Sequence, residues 1–142
     1  MNWLTELRYG CAAVSADESD GLLAFAEPDK VAIVGTIPIV GLVMPEQPDE
    51  CVAMNMGVLD ESAETTTRLT FRMRAHSEAR LDLIGDTLDN IWTKRDAGML
   101  GNARLIMSQW SSGATLGQDG SKRIERSANY YLTVARPLVN RY

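Results

Sequence analysis

Histidine is nearly missing from this chain, with His76 the single imidazole in 142 residues. A general base needs an acid, a nucleophile or an orienting group beside it, and the residues around His76 supply none. Ser77 adjoins it, but sequence neighbours rarely aim their side chains at each other. The expectation is a surface or helix-start histidine. Cysteine is almost as scarce. Cys11 and Cys51 are too few for a disulfide framework and lack metal-ligand spacing, so they read as unpaired buried thiols of a protein made in a reducing cytoplasm. No basic excess exists either: 14 Lys and Arg stand against 19 Asp and Glu, a net charge of −5. That excludes a surface built to grip a nucleic-acid backbone, though not one that DNA slides past.

A long hydrophobic run is also absent. The most apolar stretch, Val31 to Met44, is interrupted by Gly35, Pro38 and Gly41 and falls short of the ~20 residues that span a bilayer. The start, MNWLTELRYG, has neither the basic head nor the continuous apolar core of a signal peptide. A soluble protein with no membrane contact is expected. The chain has no glycine array of the phosphate-cradling kind, no internal repeat and no linker between two cores.

What remains is an ordinary globular composition, 45% hydrophobic and 23% charged. One domain over residues 1–142 would bury about two-thirds of its unfolded surface. Trp3, Leu4, Leu7, Cys11 and Val14 recur at spacings of three and four, which predicts an amphipathic N-terminal helix ended by the acidic turn Asp17 to Gly21. Residues 22–44 lack a helical period. Their Val, Ile and Thr predict one or two short strands, either as an extended arm or as an edge of the sheet.

Clearer alternation follows. Val52, Met54 and Met56 predict a strand, and Leu69, Phe71, Met73 and Ala75 predict a second, with Thr70, Arg72 and Arg74 opposite. Between them, Val58 to Thr66 reads as an acidic loop with Asp60, Glu61 and Glu64. Ser77 is placed to cap a second helix whose apolar face is Leu81, Ile84, Leu88, Ile91 and Trp92, stopped by Gly98 and Gly101. Ala103 to Trp110 reads as a strand, then a Gly-rich loop, then a last strand with Tyr130, Leu132 and Val134 on one face. The fold class is α+β: a mainly antiparallel sheet with a helix packed on one face, plus the N-terminal helix.

Three clusters invite a chemical reading. Glu78, Asp82, Asp86 and Asp89 form a stripe opposite the apolar face of the second helix. This is a solvated face, a surface meeting arginines of a neighbouring copy, or, least of all, a cation site, since a straight helix spreads its carboxylates too far. Arg68, Arg72 and Arg74, with Lys122, Arg123 and Arg126, suit subunit contacts better than phosphates in an acidic protein. Trp3, Trp92 and Trp110 read as core or interface anchors. No catalytic, cofactor or metal residue is assigned.

Leu116-Gly117-Gln118-Asp119, then Arg123 and Glu125, then Asn129-Tyr130, resembles the C-terminal signature of the tail terminators of long-tailed bacteriophages, often labelled minor capsid or minor tail proteins. Arg68 to Ala75 followed by a helix is similar to that family's central strand and helix, and Pro45 to Met56 fits the segment before it. Order and spacing over residues 45–137 carry the resemblance; Gly21 to Met44 lies outside it. The resemblance implies a structural virion protein and no enzyme. It implies a ring of about six copies capping the head-proximal end of the tail tube, touching the tail tube protein and a head-completion protein while genomic DNA passes through the lumen. Asp60, Glu61 and Glu64, the Gly117 to Arg126 loop with Asp119, Arg123 and Glu125, and the Leu22 to Met44 segment are the expected ring and tube contacts. The rivals are another neck component, a head-closure protein or adaptor, and a small α+β enzyme or ligand-binding domain with a cleft at His76 and Asp82.

Overall fold

The computed structural model describes residues 3–25, 36–41, 43–60, 64–93, 95–96 and 98–135. The first helix, α1, is Trp3–Asp17, with Leu7, Cys11, Ala12 and Ser15 buried on one side. It ends where predicted. Asp20 and Gly21 take positive φ, and buried Ser19 accepts the Leu23 N–H at 2.9 Å, turning the chain into β1, Leu23–Phe25. β2, Ile37–Gly41, pairs parallel with β1 and with the start of β3, Cys51–Asp60. Within 22–44, Leu23–Phe25 and Ile37–Gly41 are therefore strands of the sheet; residues 26–35 and 42 lie outside the described set.

β3 and β4, Glu64–Ala75, form an antiparallel pair running from Cys51↔Arg74 to Asp60↔Thr66. The expected Val58 to Thr66 loop is thus mostly strand, because β-favouring Val58 and Thr65 to Thr67 continue the ladder, and only 61–63 join the two. β4 alternates as predicted, except that Arg74 is also buried. Ser77 caps α2, Glu78–Trp92, accepting the Arg80 N–H at 3.2 Å, and all five predicted apolar residues of this helix are buried.

Two expectations fail beyond α2. The helix stops at Trp92 with Thr93 extended after it, not at the glycines. Gly98 (φ 113°) and Gly101 (φ 61°) instead flank the short β5, Met99–Leu100, which turns back into β6, Ala103–Gln118. β6 is also much longer than the segment to Trp110: the expected Gly-rich loop is itself strand, with bulges between Leu105 and Met107, Trp110 and Ser112, and Thr115 and Gly117. At the last of these bulges Gly117, at φ 99°, takes a backbone conformation that other residues rarely adopt. β7, Ile124–Ala135, then returns between β4 and β6 with Tyr130, Leu132 and Val134 buried as predicted.

Among the described residues the sheet has seven strands in the order β1-β2-β3-β4-β7-β6-β5. Flat, six spacings of about 4.8 Å would hold its edges about 29 Å apart. Yet α1, about 22 Å long, touches both edge strands, β1 and β5. The sheet must curl to allow it. α1 closes onto the β5–β6 turn so tightly that a Cβ at Gly10 would overlap the backbone of Leu100 and Gly101. Inside the curl, α2 packs on β4, β7 and β6, and Phe71, Leu88, Trp92 and Tyr130 join one buried cluster. Phe71 and Tyr130 meet edge to face at 6.1 Å between ring centres. Trp92 Nε1 donates to Ser15 Oγ at 2.9 Å, and Ser108 Oγ donates to the Trp92 carbonyl at 2.6 Å, so these buried side-chain groups between the helices and β6 are hydrogen-bonded.

Candidate assembly surfaces

The segment from Leu116 to Arg126 is organised by Asp119. One of its carboxylate oxygens accepts the N–H groups of Ser121 and Arg123, both at 2.9 Å, and the other accepts Arg123 Nε at 2.8 Å. This closes the β6–β7 turn, with Lys122 in the left-handed region at φ 61°. Arg123 then reaches across the molecule. Its Nη1 donates to the Glu46 carbonyl at 2.5 Å and lies 3.5 Å from Asp49 Oδ1, and its Nη2 is 3.3 Å from Glu46 Oε1. Arg74, from the end of β4, grips the same loop: Nε donates to the Asp49 carbonyl at 3.1 Å, and Nη2 to the carbonyls of Pro48 at 2.6 Å and Glu46 at 3.3 Å.

Two arginines that are only 3% and 4% exposed therefore clasp residues 46–49. His76 Nε2 lies 2.9 Å from an Asp49 carboxylate oxygen, and Arg80 makes a bidentate ion pair with Glu50 at 2.6 and 3.0 Å. The hydrogen bond from His76, with the charges of His76, Arg123 and Arg74, holds the Asp49 carboxyl below its ordinary pKa. The backbone N–H groups of Arg123 and Ser121 do the same for Asp119. Burial works against the Arg123 charge, but Asp119, Glu46 and Asp49 outweigh it and hold its pKa above the usual value.

The sequence did not reveal this clasp. Its one local signal is Asp119-Gly120-Ser121, the pattern of a side chain capping its own turn. Of the remaining expected contact residues, Glu125 pairs with Arg72 at 2.9 Å and Arg126 with Asp82 at 2.8 Å. Arg126 thus meets the acidic stripe of its own chain. Gly117 sits in the last bulge of β6 at φ 99°. Asp60 and Glu64 are exposed at the end of the β3–β4 pair; Glu61 lies outside the described residues. The structure does not bring Asp60 and Glu64 together with the Asp119 turn: β3 pairs its Cys51 end, not its Asp60 end, with the end of β4 that continues to β7 Glu125 and Ile124.

Among the described residues no enzyme-like constellation forms around His76. A cleft of about 520 Å³ is lined by Leu22, Ile37, Asp49, Glu50, His76 and Arg80 among others, but Asp82 is not in it, and Ser77 Oγ is occupied by the helix cap. Among the described residues no group of three His, Cys, Asp or Glu side chains is placed to hold a metal ion. In the acidic stripe Asp89 accepts Tyr130 Oη at 3.0 Å, and burial followed by this carboxylate pushes the Tyr130 hydroxyl pKa up, while Glu78 and Asp86 stand exposed.

The side of the sheet facing away from α2 carries a polar lattice. Thr70 Oγ1 donates to Asn129 Oδ1 at 2.6 Å, and Asn129 Nδ2 to Ser112 Oγ at 3.1 Å, with Arg68 and Tyr131 paired beside them. The tryptophans divide: Trp92 is core, Trp3 packs against its rim, and Trp110 is 54% exposed.

No family profile matches the chain, and no curated protein matches it by sequence. Solved structures do match. One chain in the virion of a native gene transfer agent particle superposes with a TM-score of 0.56 at 11% identity, over 92% of this chain and 90% of that one. At that identity the likeness is one of fold.

Proposed function

We propose that this chain is a structural virion protein of a phage-like particle, and within it the tail terminator: a ring of about six copies that caps the head-proximal end of the tail tube and docks to a head-completion protein. The observation that carries the reading is the fold shared, nearly end to end, with a chain of a gene transfer agent virion. The terminator-like motifs at Arg68 to Ala75 and Leu116 to Tyr130 narrow it, and the geometry explains why such motifs would persist in a building block. They make the central strand and a clasped turn, and present no reactive pair.

A ring needs two different patches that meet with a rotation that closes. The exposed carboxylates of α2 and the arginine-bearing outer face of β4 are two such patches, opposite in charge and on opposite sides of the sheet. Asp60, Glu61 and Glu64 line the lumen in this reading and keep phosphates from sticking over a range of about 10 Å at moderate salt.

Electron microscopy of purified particles tests the assignment. A ring of this chain between tail tube and head-completion complex is the expected image; a single copy, or a ring on the portal side, refutes the terminator role. With Asp60, Glu61 and Glu64 changed to Lys, the particles should assemble but eject DNA slowly. Blocked tail attachment would instead place these residues against the tube.

A further inference from the structure

Among the described residues, nothing pairs with the outer edge of the second half of β6. β5 pairs only with Ala103 and Arg104, and the Gly98 and Arg95 carbonyls accept the Leu105 and Ser108 N–H groups. Beyond Ser108, no backbone bond from another element reaches the outer side of β6 among the described residues. Edges of this kind are normally guarded by charge, proline or bulges; Gln109 to Gln118 contains neither charge nor proline, and its two bulges lie on either side of Ser112–Thr115. The bulges bend the edge and leave Ser112–Thr115 as a straight run.

Beside that run lies a groove of about 380 Å³ between α2 and the β6–β7 pair. Gly85 on α2 and Gly113 on β6 put no side chain into it. Trp110 stands half-exposed on its lining, Asp86 and Asp89 face it from the helix, and Arg126, already paired with Asp82 at 2.8 Å, lines it from β7.

We propose that this edge and groove receive an extended segment of a different virion protein, one that carries an arginine or lysine. The proposal rests on the virion reading above and adds a partner surface to it. A strand added along Ser112–Thr115 would bond backbone to backbone and send alternate side chains over the groove. A cation there meets the carboxylate of Asp86 and the indole face of Trp110. Charge also argues against a second copy as the occupant. The free-edged strand segments of this chain among the described residues include β1, β5, Asn55–Asp60 of β3 and the Gln109–Gln118 edge of β6 itself, and none of these contains a basic residue.

The test uses assembled particles. A benzoylphenylalanine photo-crosslinker replaces exposed Thr115, and amide exchange over Ser112–Thr115 is compared between particle and isolated chain. The expected result is a crosslink to another virion protein within an extended segment containing Arg or Lys, with slowed exchange in the particle. Asp86→Lys, on the exposed side of α2, should leave the unfolding of the isolated chain unchanged and lower the crosslink yield about tenfold, the equivalent of ~1.4 kcal/mol. A crosslink to a second copy, unchanged exchange in the particle, or full yield from Asp86→Lys overturns the proposal. If the chain is missing from the particles altogether, the virion reading itself fails and takes this one with it.

Discussion

Where α1 crosses the curled sheet, the contacts are apolar: Leu7, Cys11, Trp92, Leu100 and Leu105 are buried, and the polar atoms run through Ser15 and Ser108. Where the β6–β7 turn meets the loop before β3, the buried groups are Arg74 and Arg123, and what they hold is backbone carbonyl and carboxylate. The first region is stabilised by area removed from water, which is indifferent to direction and to pH. The second is held by directed, charge-assisted hydrogen bonds, which fix two loops relative to each other and depend on ionisation. A surface that must match a partner gains from the second kind of support, because position matters there more than total stability.

Truncating the apolar region should have the largest effect. Phe71→Ala and Leu88→Ala each remove a fully buried side chain from one cluster, at an expected cost of about 2–5 kcal/mol in urea unfolding. Unchanged midpoints in both would mean that the sheet–helix boundary is not where the stability lies, and the contrast would collapse.

In the clasp, Arg74→Met keeps most of the apolar stem but strips the donors from the carbonyls of Glu46, Pro48 and Asp49. About 1–3 kcal/mol should be lost, with faster amide exchange concentrated around the loop before β3 and the β6–β7 turn. Faster exchange spread evenly through the core would show the two regions to be a single cooperative unit.

The smallest effect should come from acid. Asp49 and Asp119 have folded pKa values below their unfolded ones, so their contribution is complete above about pH 4 and fades as the pH falls through the folded values. Amide protection at Ser121 and Arg123 should therefore weaken below about pH 4, before core amides respond. Retained protection at those two amides down to global acid unfolding would separate the clasp from its carboxylates.

Much of this fold was legible in advance, and the reason is periodicity. α1, α2, β3, β4 and β7 each carry an apolar face at regular spacing, and each buries that face. β6 was not legible beyond Trp110: its bulges reset the alternation, and Gly113 and Gly117 look like loop residues when read alone. Gly98 and Gly101 were misread for a related reason, since a positive-φ glycine ends a helix and turns a hairpin equally well. Around Asp119 the motif itself is legible in the sequence, but the inward course of Arg123 to the Glu46 carbonyl is not.

By itself the sequence determined that α1 and α2 are helices, that β3, β4 and β7 are strands, and which face of each is apolar, because those properties follow from local sterics and from side-chain spacing along a few turns or pleats. Only the tertiary structure decided that α1 would touch both edge strands, that Trp110 would stay exposed while Trp92 was buried, and that two arginines would be interior. Arg123 meets its carbonyl partner at Glu46 from 77 positions away. A guanidinium can be buried only when such partners converge on it, and nothing in the residues adjacent to Arg123 encodes that they will.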